Sequence, residues 1–170
     1  MLSAALLVIF PCLVAFAGAS DLFTMTIPNR VALLLLTGFA LLAPFAGLSL
    51  TDIGLHLAAG GIVLALGFAY FAAGWMGGGD AKLAAAAAVW LGFSPLLLHF
   101  LLLAVIYGGA LTLLLLLFRS VPVLPAAVHG QNWLLRLHCP QTGVPYGIAI
   151  ALAALQLYPQ TLWFAAVAAG

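Results

Sequence analysis

Charged side chains are scarce in this chain of 170 residues: Asp, Glu, Lys and Arg make up 4% of it, whereas 67% of the residues are hydrophobic. Soluble domains contain about 25% charged residues, so this composition cannot cover a water-facing surface and excludes an ordinary soluble protein. Backbone groups inside hydrocarbon must form their hydrogen bonds internally. The sequence therefore predicts an all-α integral membrane protein.

Other absences narrow the function further. The net charge is +1 and no basic cluster occurs, which argues against a nucleic-acid partner. Cys12 and Cys139 form no C-x-x-C pair, so they offer neither a zinc site nor an evident disulfide framework. The four histidines lack a metal-binding spacing such as H-E-x-x-H, and we expect structural or interfacial roles for them and no cofactor.

Six apolar runs predict a six-helix transmembrane bundle, since a span needs about 20 apolar residues. The fourth run is the shortest and the last is interrupted near Pro159, so the fourth helix should be short and the sixth broken. The first run lacks the preceding positive charge of a secretion signal and is expected to be a retained helix. The runs are Leu2–Ala19, Val31–Leu48, Ile53–Ala73, Ala81–Phe93, Leu96–Phe118 and Tyr146–Ala168.

The basic residues indicate the orientation of this bundle. Arg30, Lys82, Arg119 and Arg136 all lie in or beside the first, third and fifth connections, and the second and fourth contain no Lys or Arg. Basic residues mark the cytoplasmic face. The odd-numbered connections should therefore be cytoplasmic and both termini outside, with one transmembrane domain over residues 1–170.

Two of the three acidic residues meet at the cytoplasmic boundary in this arrangement. Asp21 ends the first helix and Asp80 begins the fourth, whereas Asp52 lies at the opposite face, where Thr51 or Asp52 should cap the third helix. Two carboxyl groups in a poorly solvated site share a proton. Such a pair can hydrolyse a peptide, because the ionised acid activates water and the protonated acid polarises the scissile carbonyl.

Three glycines, Gly77, Gly78 and Gly79, immediately precede Asp80. Glycine has no Cβ, so this segment can take positive φ values and can let a substrate backbone approach closely. A plain turn between helices is the alternative explanation, because glycine routinely marks turns.

The stretch MGGGDAKL resembles the G-x-G-D motif of intramembrane aspartyl proteases, followed by Lys82-Leu83 as in type IV prepilin peptidases. SDLFTMTIPNR is similar to the first aspartate motif of that family. VPYGIAIALAAL is similar to the segment that opens the last helix in the small peptidases of the Flp/Tad pilus branch. The three matches occur in the expected order and cover nearly the whole chain.

This resemblance implies an aspartic-type endopeptidase of the bacterial inner membrane, with Asp21 and Asp80 as its catalytic pair and no metal or other cofactor. Its partners would be membrane lipid and prepilin-like substrates with an N-terminal hydrophobic helix, whose leader it removes at the cytoplasmic face. Larger members also methylate the new N-terminus through a region with paired cysteines. This chain lacks cysteine pairs, so only the peptidase activity is expected.

Further residues near the aspartates are candidates for binding substrate or supporting the pair, together with Gly77, Gly78 and Gly79. Lys82 can either tune the carboxyl groups or extend to the lipid headgroups. Asn29 is expected to cap the second helix, and Arg30 to mark orientation or contact lipid phosphates or substrate. The stretch NWLLRLH, residues 132–138, can form a short interfacial helix that covers the carboxyl pair or receives the substrate. The proline spacing of this connection also fits an ordinary loop, which is the favoured interpretation.

Two other functions remain open at this stage. A small transporter or channel component could use Asp21 and Asp80 as proton or cation sites, because intramembrane acids often mark ion pathways. No acid lies within a span to relay a proton, which argues against it. A non-catalytic scaffold would leave the paired acids unexplained.

Overall fold

In the computed structural model, which describes residues 2–125 and 130–168, the chain folds into α-helices without strands. His129, for which a structural role was expected, lies outside these residues. The helices are α1 (Leu2–Thr24), α2 (Asn29–Leu42), α3 (Leu50–Ala72), α4 (Gly78–Leu91), α5 (Pro95–Arg119), α6 (Asn132–His138), α7 (Tyr146–Leu157), a 3₁₀-helix (Tyr158–Gln160) and α8 (Leu162–Ala168).

Three of these helices, α1, α3 and α5, are long and apolar enough to cross a membrane. The predicted short fourth helix is α4, with 14 residues. The last apolar run is broken as expected, because Pro159 falls in the 3₁₀-helix between α7 and α8. The all-helical fold is confirmed for the described residues, while the number of spans and the outward position of the termini stay predictions.

The ends of α1 and α2 differ from the sequence prediction. α1 continues to Thr24 and ends before Met25, which has a positive φ of 56°. Asp21 therefore lies within the last turns of α1, where its side chain has a fixed direction. α2 ends at Leu42 because Pro44 has no N–H to continue the hydrogen-bond ladder.

α3 begins with a capping box that involves Ser49 and Asp52. The Asp52 N–H donates to Ser49 Oγ over 3.2 Å, and the Ser49 N–H donates to Asp52 Oδ2 over 3.0 Å. The prediction of Thr51 or Asp52 as the N-cap is therefore wrong, because Asp52 occupies the third helical position of the box and Ser49 is the cap. Asp52 nevertheless has a structural role.

α4 forms the centre of the bundle and packs against α2, α3 and α7. All its residues from Leu83 to Leu91 are buried. Small side chains allow this close packing: a Cβ at Gly60 of α3 would lie 2.3 Å from Val89 Cγ2, and one at Gly67 would lie 2.8 Å from Ala81 Cβ. The first turn of α4, which carries Asp80, thus starts inside the bundle.

An aromatic cluster fills the opposite end of α4. The Trp90 indole donates to the Leu35 carbonyl over 3.0 Å, and the Trp163 indole donates to the Trp90 carbonyl over 2.7 Å. The buried His56 Nδ1 lies 2.6 Å from the Val89 carbonyl oxygen. Because their polar atoms are paired, these large side chains can fix one end of the bundle.

Candidate active site

Asp21 is held by the first turn of α7. Its side chain is only 5% exposed, and its Oδ2 accepts a hydrogen bond of 2.8 Å from the Gly147 N–H. N–H groups in the first turn of a helix have no intrahelical acceptor and favour a negative charge nearby. The start of α7 is thus a preformed partner for the Asp21 carboxylate, although the two residues are far apart in sequence.

Only glycine fits at position 147. A Cβ there would lie 2.8 Å from Asp21 Oδ2 and 2.7 Å from Ile27 Cδ1, and carbon atoms essentially never approach so closely in a relaxed packing. Gly147 was not predicted from the sequence as a site residue. The available signal was the glycine next to the proline-led start of the last helix, in VPYG.

Asp80 lies in the first turn of α4 and is 7% exposed. Its carboxyl group interacts electrostatically with that of Asp21 and with the Gly147 backbone. Among the described residues, its Oδ1 is buried without a hydrogen-bond partner. A buried carboxyl oxygen without a partner is costly, and at a candidate active site it marks where a reacting group can bind.

The three glycines before Asp80 allow close packing, and none of them takes the positive φ that glycine permits. Positive φ occurs in this connection at Gly74, with 76°, whereas Gly78 and Gly79 already belong to α4. A Cβ at Gly77 would lie 2.8 Å from Asp80 Oδ2, and one at Gly79 would lie 3.1 Å from Ile27 Cβ. Gly74 therefore makes the turn, and the later glycines let the Asp80 carboxyl and Ile27 pack against the chain.

Lys82 and Asn29 contact each other and not the carboxyl pair. The Lys82 ammonium donates to Asn29 Oδ1 over 2.9 Å, linking α4 to α2. Successive residues of a helix are turned by about 100°, so Lys82 faces away from Asp80. The prediction of Asn29 as an N-cap is wrong: Pro28 occupies that position, and Asn29 begins the helix with its side chain engaged by Lys82. Arg30 is exposed beside them.

Arg119, at the end of α5, holds the segment that leads into α7. Its Nε donates to the Leu137 carbonyl over 2.8 Å, and its Nη2 donates to the carbonyl oxygens of Thr142 and Gly143 over 3.0 and 2.9 Å. Gly147 follows four residues later. A guanidinium that satisfies several carbonyl groups fixes their relative positions, and so Arg119 sets where α7 begins. From the sequence, Arg119 was predicted only to mark the cytoplasmic face.

Residues 132–138, for which an ordinary loop was favoured, form the helix α6, which covers the end of α1 close to Asp21. Arg136 Nη1 donates to the Phe23 carbonyl over 3.1 Å, and the Trp133 and Phe23 rings meet edge to face at 5.3 Å. This segment therefore does more than connect α5 to α7, because it ties together the ends of the helices that carry Asp21 and Gly147.

A metal site is not evident in the part of the chain that the structure describes, where no three His, Cys, Asp or Glu side chains form a group that could hold an ion. Cys12 and Cys139 are free thiols. The chemistry that this site offers is that of two close, buried carboxyl groups.

Comparison with protein families places this geometry in context. The model of the type IV leader peptidase family matches residues 8–113, well over half of the chain, and the match includes Asp21 and Asp80. No curated protein and no solved structure matches the chain. The resemblance to this family is thereby confirmed, while the roles of the two aspartates stay predictions. The chain belongs to the type IV leader peptidase family, whose members are membrane-embedded proteases.

Proposed function

We propose that this protein is an aspartic-type endopeptidase of the bacterial inner membrane that removes the leader peptide of Flp/Tad-like prepilins and pseudopilins at the cytoplasmic face. Membership of the family supports protease activity on prepilin-type substrates and argues against a transporter or channel. The observation that carries the assignment of Asp21 and Asp80 as the catalytic pair is their burial together beside the Gly147 amide.

The two carboxyl groups have different environments, which suits them to different roles. Asp21 Oδ2 accepts the Gly147 N–H, and a hydrogen bond of this kind stabilises a carboxylate. Asp80 Oδ1 has no hydrogen-bond partner within the described chain, so protonation of this oxygen breaks no existing hydrogen bond. We assign Asp21 as the general base and Asp80 as the general acid.

In the first step, Asp21 takes a proton from water while the oxygen of that water bonds to the scissile carbonyl carbon. Asp80 donates its proton to the carbonyl oxygen, which gives a neutral tetrahedral diol. In the second step, Asp21 gives its proton to the leaving amine as the C–N bond breaks, and Asp80 takes back the hydroxyl proton. The pair returns to its initial state with one shared proton, and the step requires no metal.

The remaining candidates act around this pair. Gly77, Gly78 and Gly79 keep the backbone before Asp80 free of side chains, which leaves room for an extended substrate. We assign Lys82 and Asn29 to support of the α2–α4 contact, because they bind each other. Arg30 is placed at the rim to contact lipid phosphates or the substrate. Within residues 1–170 we assign one peptidase domain and only the peptidase activity.

Reconstitution tests the function directly. The purified full-length chain in lipid vesicles, incubated with a Flp-type prepilin in the presence of EDTA, is expected to release the leader, which mass spectrometry of the product can detect. The same prepilin without its leader should stay unchanged. The proposal is wrong if folded, inserted protein cleaves no prepilin-type substrate, and the metal-free mechanism is wrong if EDTA stops cleavage and a divalent ion restores it.

Replacing Arg119 should slow the reaction, because the Gly147 amide would be displaced. Arg119→Gln removes the hydrogen bonds that fix Thr142 and Gly143, so α7 and its Gly147 amide lose their position. A displacement of about 1 Å can lower a rate by about 100-fold, and we expect the loss in kcat with little change in KM. Arg119→Lys should recover part of the rate.

Ser120→Ala is the matched control for Arg119, because the Ser120 hydroxyl bonds only to the Leu117 carbonyl of its own helix among the described residues. Its kcat should equal that of the unmodified protein. Equal kcat values for Arg119→Gln and Ser120→Ala would show that Arg119 does not position the catalytic amide.

A further inference from the structure

Two apolar grooves border the central helix α4. One, of 590 Å³, lies between α3 and α5 and is called here the α3–α5 groove. The other, of 420 Å³, lies between α2 and α3 and is called the α2–α3 groove. Both can be reached from the lipid, but they lie on different faces of α4.

The angular positions of the lining residues show which groove communicates with the carboxyl pair. Ala84 lines the α3–α5 groove, and four residues after Asp80 it is turned by only about 40° from it. Lys82 and Val89 line the α2–α3 groove, and they are turned by about 200° and 180° from Asp80. The α3–α5 groove therefore continues the face that carries Asp80, whereas the α2–α3 groove lies behind it.

Residues of helix α7 also connect the α3–α5 groove to the carboxyl pair. Tyr146 and Ile150 line the α3–α5 groove, directly before Gly147 and one turn after it. Met76, which precedes the three glycines before Asp80, also lines the α3–α5 groove. The two segments that hold the carboxyl pair, at the starts of α4 and α7, thus form one end of this groove.

The α3–α5 groove has the depth and chemistry for an apolar helix. Tyr70 and Trp75, whose rings are 5.9 Å apart, mark its end at the predicted cytoplasmic interface. Along α5 it extends from Gly109 to Phe100, which is about 14 Å or half of the hydrocarbon core. No charged side chain lines it, so it suits an apolar partner.

Gly109 provides a place for close contact with such a partner. A Cβ built at Gly109 has no atom within 4 Å, whereas a Cβ built at the neighbouring Gly108 would lie 2.8 Å from the Tyr146 ring. Small residues let membrane helices approach each other closely. Around it, Leu66 and Val105 are 54% and 74% exposed, and the groove is open on the side of the lipid.

We propose that the apolar helix of the substrate enters from the lipid between α3 and α5 and lies in the α3–α5 groove. The end of that helix at the membrane surface then presents the scissile bond to Asp21 and Asp80. This inference rests on the proposed function and adds the surface that recognises the substrate. A lipid chain in the groove is the competing occupant.

A matched pair of substitutions tests the assignment. Gly109→Leu fills the α3–α5 groove, and Gly61→Leu makes the same change in the α2–α3 groove, where a Cβ at Gly61 also meets no atom within 4 Å. For a full-length prepilin, Gly109→Leu should lower kcat/KM by about 10- to 100-fold, and Gly61→Leu should leave it unchanged. A short peptide that spans the scissile bond but lacks the apolar helix should be cleaved equally by both variants.

Equal effects of the two substitutions on the prepilin, or an equal loss of peptide and prepilin cleavage in Gly109→Leu, would overturn the inference while leaving the protease assignment intact. Failure of the unmodified protein to cleave either substrate would instead overturn the proposed function.

Photo-crosslinking identifies the occupant of the groove. A benzophenone side chain at position 109 or 61 of the inactive Asp80→Asn variant is irradiated in vesicles that contain the prepilin. Adducts with the prepilin helix are expected from position 109 only. Adducts from position 61, or lipid adducts alone from position 109, would show that the substrate does not occupy the α3–α5 groove.

Discussion

Asp21→Asn and Asp80→Asn are each expected to abolish leader removal, with kcat lowered by at least about 10⁴-fold, since general acid and general base steps each contribute about 10²- to 10⁴-fold. Asparagine keeps the size of the side chain but can neither take nor give the proton. The double variant should be no slower than the single ones, because residues that act as a unit are not additive. Cleavage of a Flp-type prepilin in vesicles, followed by mass spectrometry, measures the effect.

Asp52→Asn is the control for both substitutions, because it removes the remaining acidic group of the chain. Asp52 belongs to the capping box of α3, at the other end of that helix from the carboxyl pair. Its loss should weaken the capping box and leave kcat unchanged. Normal cleavage by Asp21→Asn or Asp80→Asn would exclude a catalytic pair, and a measured ion flux that needs both acids would favour a transporter.

The pairing of Asp21 with Asp80 could be predicted from the sequence because it depends on membrane topology. The lengths of the apolar runs and the positions of Arg30, Lys82 and Arg119 assign both acids to the same face. Span lengths and the distribution of basic residues extend over many residues, so the details of local packing do not change the predicted topology. The short α4 could also be predicted from the sequence, because Ser94-Pro95 limits the length of its apolar run.

The partner of Asp21 could not be predicted in the same way. The contact between Asp21 and Gly147 joins residues separated by 126 positions, and no periodicity in the sequence encodes such a contact. The resemblance of VPYGIAIALAAL indicated a segment but not the role of its glycine.

The glycines before Asp80 show a second limit of local reasoning. Glycine is compatible both with a positive φ and with the first turn of a helix. Gly74 takes a positive φ and makes the turn with no atom within 4 Å of a Cβ built there, whereas Gly78 begins α4 beside the Phe71 ring. Gly78 and Gly79 pack against Phe71 and Ile27, contacts that the local sequence does not specify.

Gly147→Ala should lower kcat by about 100-fold, the loss expected when a catalytic group moves by about 1 Å. The added methyl group would lie 2.8 Å from Asp21 Oδ2, so the carboxyl must move and its hydrogen bond with the Gly147 N–H must lengthen or break. The protein should still fold, because alanine is a better helix former than glycine in α7. The rate of prepilin cleavage and the thermal unfolding temperature in detergent measure the two effects.

Gly54→Ala provides the matched control, because Gly54 also lies near the start of a helix and a Cβ there meets no atom within 4 Å. It should retain full activity. A second comparison separates the two neighbours of Gly147. The new methyl group also lies 2.7 Å from Ile27 Cδ1, and Ile27→Ala removes that contact but leaves the one with Asp21. If Ile27→Ala restored the activity of Gly147→Ala, the loss would come from packing against Ile27, and the Gly147 amide would not be the group that holds the catalytic base.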